Sequence, residues 1–325
     1  MSPQSLGGKT AIAIARHGPA TLILASRTKA KLDEVAKQIK QASPDCEPKL
    51  VELDLASIAA TCKAADAISR LVDHIDILIH SAAVVSSERR ETADMIESQF
   101  GTNHIGPFLL TSLLTPLLKA AAARNRPGLM RVVHVSSLGY RLSPIRFHDY
   151  NFEGKPVPPE EEPSASVPAY MKPAVLEGRN YHVFCAYGQS KTANILHAVS
   201  LNQKLGAEGI RAFAIHPGCE SAVTRVLLCL RTNEAISAIW TELSRSLSPR
   251  DLKAIEGTST FWKTHDQGIA TTLVAALDPK LAEPTSQVYL SDCQLVDVEK
   301  YATDPGIAER LWKLSEQIVS KPAKL

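Results

Sequence analysis

A doubly wound α/β fold, with a parallel sheet covered by helices on both faces, is what this 325-residue sequence predicts. Three observations carry the expectation. Short apolar runs alternate along the chain with longer amphipathic segments. The runs are almost continuously apolar, as strands of a parallel sheet buried on both faces are. The composition, 45% hydrophobic against 22% charged, suffices to bury a sizeable core.

The elements follow in order. A helix runs from about Gly8 through Arg16, then a strand over Thr21–Ala25 and a helix over Lys29–Lys40. The strand Lys49–Leu53 precedes the helix Ile58–Val72, and the strand Ile75–Ala82 precedes the helix Thr92–Ala123. Next come the strand Arg131–Val135, the helix Ala186–Leu205 and the strand Arg211–Ile215. A last short strand, Gln287–Leu290, leads to the helical tail Gly306–Val319. This alternation is that of βαβ units. Neither an internal repeat nor a linker between two cores is visible, so residues 1–325 read as a single domain.

Two segments break the pattern. Residues 140–184 are rich in proline and carry Glu160-Glu161-Glu162. Loops this long in a compact domain are usually functional lids or disordered, and this one is expected to border a substrate site. Residues 219–257 read as helical, with apolar spots at Val226-Leu227-Leu228 and Ala238-Ile239-Trp240.

Charge and cysteine usage narrow the partners. The 36 basic and 34 acidic residues are interspersed, giving a net charge of +2 with no Lys/Arg block. This argues against nucleic acid and against an anionic membrane surface. The six cysteines are scattered without metal spacing and read as reduced thiols of a cytoplasmic protein. Cys185 reads as a small buried apolar residue. The stretch Leu109–Ala123, broken by Pro116 and Lys119, reads as a buried helix, too short and too polar for a membrane span.

The chemistry-bearing residues are concentrated in one order. Tyr187 and Lys191, in Tyr187-Gly188-Gln189-Ser190-Lys191, lie four apart and share a helix face. An ammonium close to a phenol favours the phenolate, drawing the hydroxyl down from its reference of about 10. Tyr187 then suits proton exchange with a carbonyl or alcohol. Upstream, Arg131-Val132-Val133-His134-Val135 ends in Ser136-Ser137, and Asn103 lies within Thr102-Asn103-His104. Downstream stands His216-Pro217-Gly218. Read alone, Ser136 and Ser137 are also compatible with a strand-end hydroxyl pair, and Asn103 with a structural amide inside a helix.

Asn103, Ser137, Tyr187 and Lys191 in this order resemble the short-chain dehydrogenase/reductase family, in particular its retinol-dehydrogenase-like and fungal carbonyl-reductase members. The tail, from Tyr289 to Gln294 and from Tyr301 to Pro305, looks like fungal members. The resemblance implies a Rossmann-like sheet of order 3-2-1-4-5-6-7 and an NADP(H)-dependent oxidoreductase interconverting a hydroxyl and a carbonyl on an apolar small molecule. It implies that Tyr187 donates the proton and that Ser137, rather than Ser136, hydrogen-bonds the oxyanion. Lys191 would lower the Tyr187 pKa and hold the nicotinamide ribose, while Asn103 would support the helix and a proton-supplying water. A homodimer is a further expectation, and no metal is.

The cofactor side is less complete. Ser5-Leu6-Gly7 resembles the tail of the family's glycine turn; the opening of that turn and the first, central strand are not found after Met1. Their loss is expected to split the sheet. Arg27, at the end of the second strand, suits the 2′-phosphate of NADP, with Lys31 adding charge; read alone, Arg27 is a solvated strand end. Asp54 resembles an adenine-contacting residue or is a helix cap. The family's Asn-Asn-Ala-Gly appears as His80-Ser81-Ala82-Ala83, so Ala82 is retained and His80 reads as a satisfied core histidine. By the same resemblance Pro217 and Gly218 would flank the nicotinamide, and the 219–257 segment after them would be the substrate-loop region. The other reading of the chain is a non-catalytic relative acting as a binding or scaffold protein.

Overall fold

The computed structural model describes residues 5–163, 181–218, 246–256 and 263–320. Seven strands are described: β1 (Ile23–Ser26), β2 (Lys49–Glu52), β3 (Ile77–His80), β4 (Met130–Val135), β5 (Ile210–His216), β6 (Tyr289–Ser291) and β7 (Gln294–Leu295). The main helices are α1 (Leu6–Ala15), α2 (Lys29–Ala42), α3 (Ile58–Leu71), α4 (Ser98–Ala122), α5 (Val183–Leu205), α6 (Pro249–Glu256), α7 (His265–Leu277) and α8 (Pro305–Val319). Alternation of parallel strands with helices gives the expected Rossmann-like α/β fold.

The strands form two sheets. β1 pairs in parallel with β2, and β3-β4-β5-β6 run parallel in a second sheet closed by antiparallel β7. Neither β1 nor β3 has a second partner among the described strands, so the sheet is divided where division was expected. β7 was not anticipated; it follows a two-residue turn at Asp292 and Cys293, both with positive φ.

Apolar contacts cover both faces of the larger sheet. On one side Val132, Ala212 and Tyr289 pack with Leu118 of α4, Ile195 of α5 and Leu311 of α8. On the other, Val133, Phe213 and Ile215 pack with Ala275 and Ala276 of α7. The smaller sheet is held by clusters joining Leu24 to α1 and α2, and Val51 to α3 and α4.

Helix starts follow their side chains. Ser5 caps α1, Ser57 caps α3, Asp304 caps α8, and Thr264 with Gln267 forms a capping box on α7. The buried Glu97 carboxylate accepts the N–H groups of Gln99 and Phe100 at the start of α4. Helix α4 is long and apolar enough to cross a membrane, with a mean hydropathy of 1.4 over its most apolar window. The expectation that this region is too short to span is therefore corrected. Its inner face, including Phe108, Leu114 and Leu118, is buried in the core.

Residues 101–105 of α4 form a π turn, closed by the Gly106 N–H on the Gly101 carbonyl. Pro107 has no N–H to give the carbonyl four residues before it, that of Asn103. That carbonyl instead accepts from Asn194 Nδ2 at 2.8 Å. Gly106 is required by a close approach: a Cβ there would run into the Leu55 carbonyl. These contacts hold Asn103 against α5.

Candidate active site

The C-terminal ends of β4 and β5 and the first turns of α5 converge. Ser136 and Ser137 follow β4, His216 ends β5, and Tyr187 and Lys191 lie on α5. The two serines have different tasks. Ser136 is buried and donates to the Lys191 carbonyl at 2.8 Å, fixing β4 to α5. Ser137 Oγ accepts the Gly139 N–H at 3.0 Å, and the Ser137 side chain favours the ionised form of the Tyr187 hydroxyl. The structure thus brings Ser137, not Ser136, to the phenol. Gly139 lies flat against the same ring, where a Cβ would come 2.8 Å from Tyr187 Cε1.

Lys191 Nζ sits 5.5 Å from the Tyr187 ring centroid and donates to the Val135 carbonyl at 2.8 Å. Burial pushes its pKa down to about 7. Burial likewise pushes the Tyr187 hydroxyl up to about 12, the Ser137 side chain opposing the rise. The expectation that Lys191 draws Tyr187 below its ordinary value is corrected. A buried phenol favours its neutral form, and the nearby amine, itself desolvated, is not the dominant influence.

Asn103 acts as a bridge. Its Oδ1 accepts the Val84 N–H at 2.7 Å, and its Nδ2 donates to the Val84 carbonyl and to Ser190 Oγ, each at 3.0 Å. Ser190 Oγ in turn donates to the Tyr187 carbonyl at 2.8 Å. One amide therefore joins the loop after β3 to the helix that carries Tyr187 and Lys191. Sequence reasoning missed Ser190 and Asn194. Their signal was position: both lie within one turn of Lys191.

The cofactor-side residues are more dispersed. Ser5 is the N-cap of α1, and Leu6 and Gly7 lie inside its first turn, so the helix starts two residues earlier than expected. Ser5 Oγ takes the Gly8 N–H and its carbonyl takes that of Lys9. Gly7 faces Ser81, whose Oγ would be 3.3 Å from an added Cβ. Arg27 is exposed just past β1, with no acidic partner among the described residues. Asp54 Oδ1 accepts the Ala56 N–H at 3.0 Å. It closes a turn, and the cap of α3 is Ser57, which corrects the cap reading of Asp54. Ala82 is exposed beyond β3, and Pro217 and Gly218 directly follow His216.

His80 is buried, as expected, with Nε2 2.7 Å from Thr111 Oγ1 and its ring stacked on His134. His134, His197 and His104 continue this group of imidazoles, and burial holds all four below the ordinary histidine range. Cys185 is also buried, its thiol pushed up to about 12 by burial. Tyr187 packs against an apolar cluster of Val85, Val183, Phe184 and Leu247, as do Leu142, Tyr181 and Leu252.

Known proteins share this arrangement of elements. A family model described as short chain dehydrogenase matches residues 3–151. Retinol dehydrogenase 12 of Mus musculus is 32% identical over 318 residues, covering 97% of this chain and 83% of its own length. Oxidoreductase fscI of Fusarium equiseti is 34% identical over 215 residues, covering 66% of this chain and 82% of its own. The crystal structure of an uncharacterized protein from Mycobacterium paratuberculosis matches 100% of this chain and 93% of its own, with a TM-score of 0.64 and 28% identity.

Proposed function

The chain belongs to the short-chain dehydrogenase/reductase family, an oxidoreductase family interconverting hydroxyl and carbonyl groups, and on that premise we propose an NADP(H)-dependent enzyme with Tyr187 as general acid and base. The observation that carries the proposal is the convergence of Tyr187, Ser137 and the buried Lys191, whose Nζ lies 5.5 Å from the Tyr187 ring centroid.

The residues present suit such a cofactor. Lys191 is buried and, among the described residues, has a single main-chain acceptor and no carboxylate, leaving donors for ribose hydroxyls. Arg27 offers an exposed guanidinium, without an acidic partner among the described residues, to a 2′-phosphate. The N–H groups of Leu6 and Gly7 are what the start of α1 has left for a phosphate once Ser5 has taken the next two. Asp54 and Ala82 would border the adenine side, and Pro217 and Gly218 the nicotinamide side. When bound, the cofactor supplies or accepts the hydride.

The chain's own residues handle the proton. With its pKa raised, Tyr187 begins a carbonyl reduction protonated and can give its proton to the carbonyl oxygen. Ser137 Oγ, fixed by Gly139, donates to the same oxygen as negative charge develops. Lys191, protonated on the acid side of about 7, then stabilises the tyrosinate left behind. Asn103 keeps α5 registered against the β3 loop while this occurs.

The apolar cluster around Tyr187 favours an apolar substrate. Its members come partly from the 140–184 and 219–257 segments, which supports one domain in which both border the site; Ser87 Oγ also accepts the Ser248 N–H at 2.7 Å. Residues 164–180 and 219–245 lie outside the described structure. The free thiols of Cys46, Cys62, Cys185 and Cys293 suit a cytoplasmic location. A homodimer completes the proposal, with light scattering as its check.

Screening apolar aldehydes and ketones by NADPH absorbance tests the activity. Tyr187→Phe should then lose roughly 10²–10⁴-fold in kcat while NADPH still binds. Retained turnover in that variant would move the chemistry to another group.

A further inference from the structure

One buried polar side chain at the site has no part in the steps above. His216 ends β5 and is 6% exposed. Its Nδ1 accepts the main-chain N–H of Leu138 at 3.3 Å. Leu138 stands between Ser137, whose side chain acts on the Tyr187 hydroxyl, and Gly139, where an added Cβ would come 2.8 Å from Tyr187 Cε1 and 3.3 Å from Ser137 Oγ. Among the described residues, no other side chain outside residues 137–140 bonds to the backbone of Ser137–Gly139. Gly139 N–H to Ser137 Oγ and Tyr140 N–H to the Ser137 carbonyl are internal to the 3-10 turn over Leu138–Leu142 that Ser137 caps.

The other ring nitrogen sharpens the point. An imidazole accepting at Nδ1 carries its hydrogen on Nε2. His216 Nε2 is buried and has no partner among the described residues. A buried donor without a partner costs about 1–3 kcal/mol, which an aliphatic side chain of similar size would avoid. Among the described residues, its one hydrogen bond is to the turn that carries Ser137.

We propose that His216 is a positioning residue: by accepting the Leu138 N–H it holds Ser137 Oγ in place against the Tyr187 hydroxyl. This rests on the reading of Ser137 and Tyr187 as the oxyanion donor and the acid. Removing the acceptor frees the Leu138 amide and lets the turn relax away from the phenol. Displacement of a catalytic group by about 1 Å can cost on the order of 100-fold in rate.

The test uses the full chain with NADPH and a series of straight-chain aldehydes. Asparagine places a carbonyl oxygen near the position of Nδ1; glutamine places its polar atoms near Nε2. His216→Asn should keep kcat within about threefold of wild type, whereas His216→Gln and His216→Ala should lose roughly 10- to 100-fold with little change in NADPH affinity. In a Ser137→Ala background the cost of His216→Ala should shrink to less than about threefold, because the two act as a unit. Independently of turnover, amide exchange of the peptide containing Leu138 should speed up in His216→Gln and not in His216→Asn.

Equal damage from Asn and Gln in both measurements would overturn the inference, as would an undiminished His216→Ala cost in the Ser137→Ala background. Should His216→Ala fail to fold, the Asn and Gln pair decides the question. If Ser137→Ala itself leaves turnover unchanged, the underlying assignment of Ser137 fails. Amide exchange then still reports whether His216 holds the turn.

Discussion

On the five-stranded sheet the side chains expected to do chemistry are bonded into one network. On the two-stranded sheet the residue expected to select the cofactor stands in solvent. Asn103, Ser137, Tyr187 and Lys191 each have a named partner at hydrogen-bond or ring-contact distance, and Lys191 and Asn103 are almost fully buried. Arg27 is exposed beside β1, and among the described strands the smaller sheet shares no ladder with the larger. The difference follows from what each group must do. Proton transfer needs a fixed geometry of a few tenths of an ångström, which burial and hydrogen bonds supply. Attraction of a phosphate to a guanidinium acts at longer range and tolerates a mobile side chain.

Acid should separate the two regions most strongly. His80, His104, His134, His197 and His216 are all buried, all on or against the larger sheet, and all held neutral by burial. Their unfolded counterparts titrate near about 6.5, so below that pH the unfolded chain binds protons that the folded chain refuses. Stability should be fully present above about pH 6.5 and fall below it by about 1.4 kcal/mol per histidine per pH unit, until the folded groups titrate. Five such groups would exhaust a stability of about 5–15 kcal/mol near pH 5. Circular dichroism against pH measures this. A native spectrum with an unchanged Tm at about pH 4.5 would break the comparison.

The division between sheets makes the next expectation. A chain lengthened ahead of Met1 by a strand ending in Thr-Gly would offer partners to the edges of β1 and β3. Each buried backbone group newly paired is worth about 1 kcal/mol. Tm should rise by several degrees, on the order of 2–4 °C per kcal/mol for a chain of this size or a little smaller. NADPH should raise the Tm of the longer form further than that of this one. Equal melting of the two forms, with and without NADPH, would show that the gap between sheets carries no penalty.

Arg27→Ala should have the smallest effect and the most selective. A hydrogen bond to a charged group contributes about 1.5–3 kcal/mol, so NADPH affinity should fall roughly 10- to 100-fold. NADH binding should not change, and the Tm without cofactor should stay within about 1 °C, since an exposed charge adds little to folding. Parallel losses for both cofactors would remove Arg27 from any discriminating role.

Much of this was legible before the structure. The order Asn103, Ser137, Tyr187, Lys191, the alternation of strands and helices, and the interior placement of His80 and Cys185 all follow from residue type and spacing. What escaped depended on burial or on distant pairing. The sign of the Tyr187 shift was misjudged because a Tyr-x-x-x-Lys spacing shows proximity and not desolvation. The contact of His216 with Leu138 joins residues 78 apart in sequence, on different strand ends. Ser5 was read for its place in a glycine turn, while its hydroxyl serves the helix as a cap. The π turn left no trace in an apolar pattern that tolerates one extra residue. Its only sign was Pro107, which strips the Asn103 carbonyl of its usual donor.

That turn gives α4 a phase boundary. In an α-helix each residue advances the face by about 100°, so a turn holding one residue more rotates everything after it by that amount. Glu97 and Phe100 on one side, and Phe108 and Leu114 on the other, therefore answer to two angular frames that meet at Asn103. Deleting a single residue between 101 and 105 would merge the frames into a more regular helix. It would also swing the segment before the turn, with its Glu97 cap, out of alignment with the apolar stripe that follows. Chain length at this point works as a timing mark: it sets which way two rods face, independently of which side chains they carry.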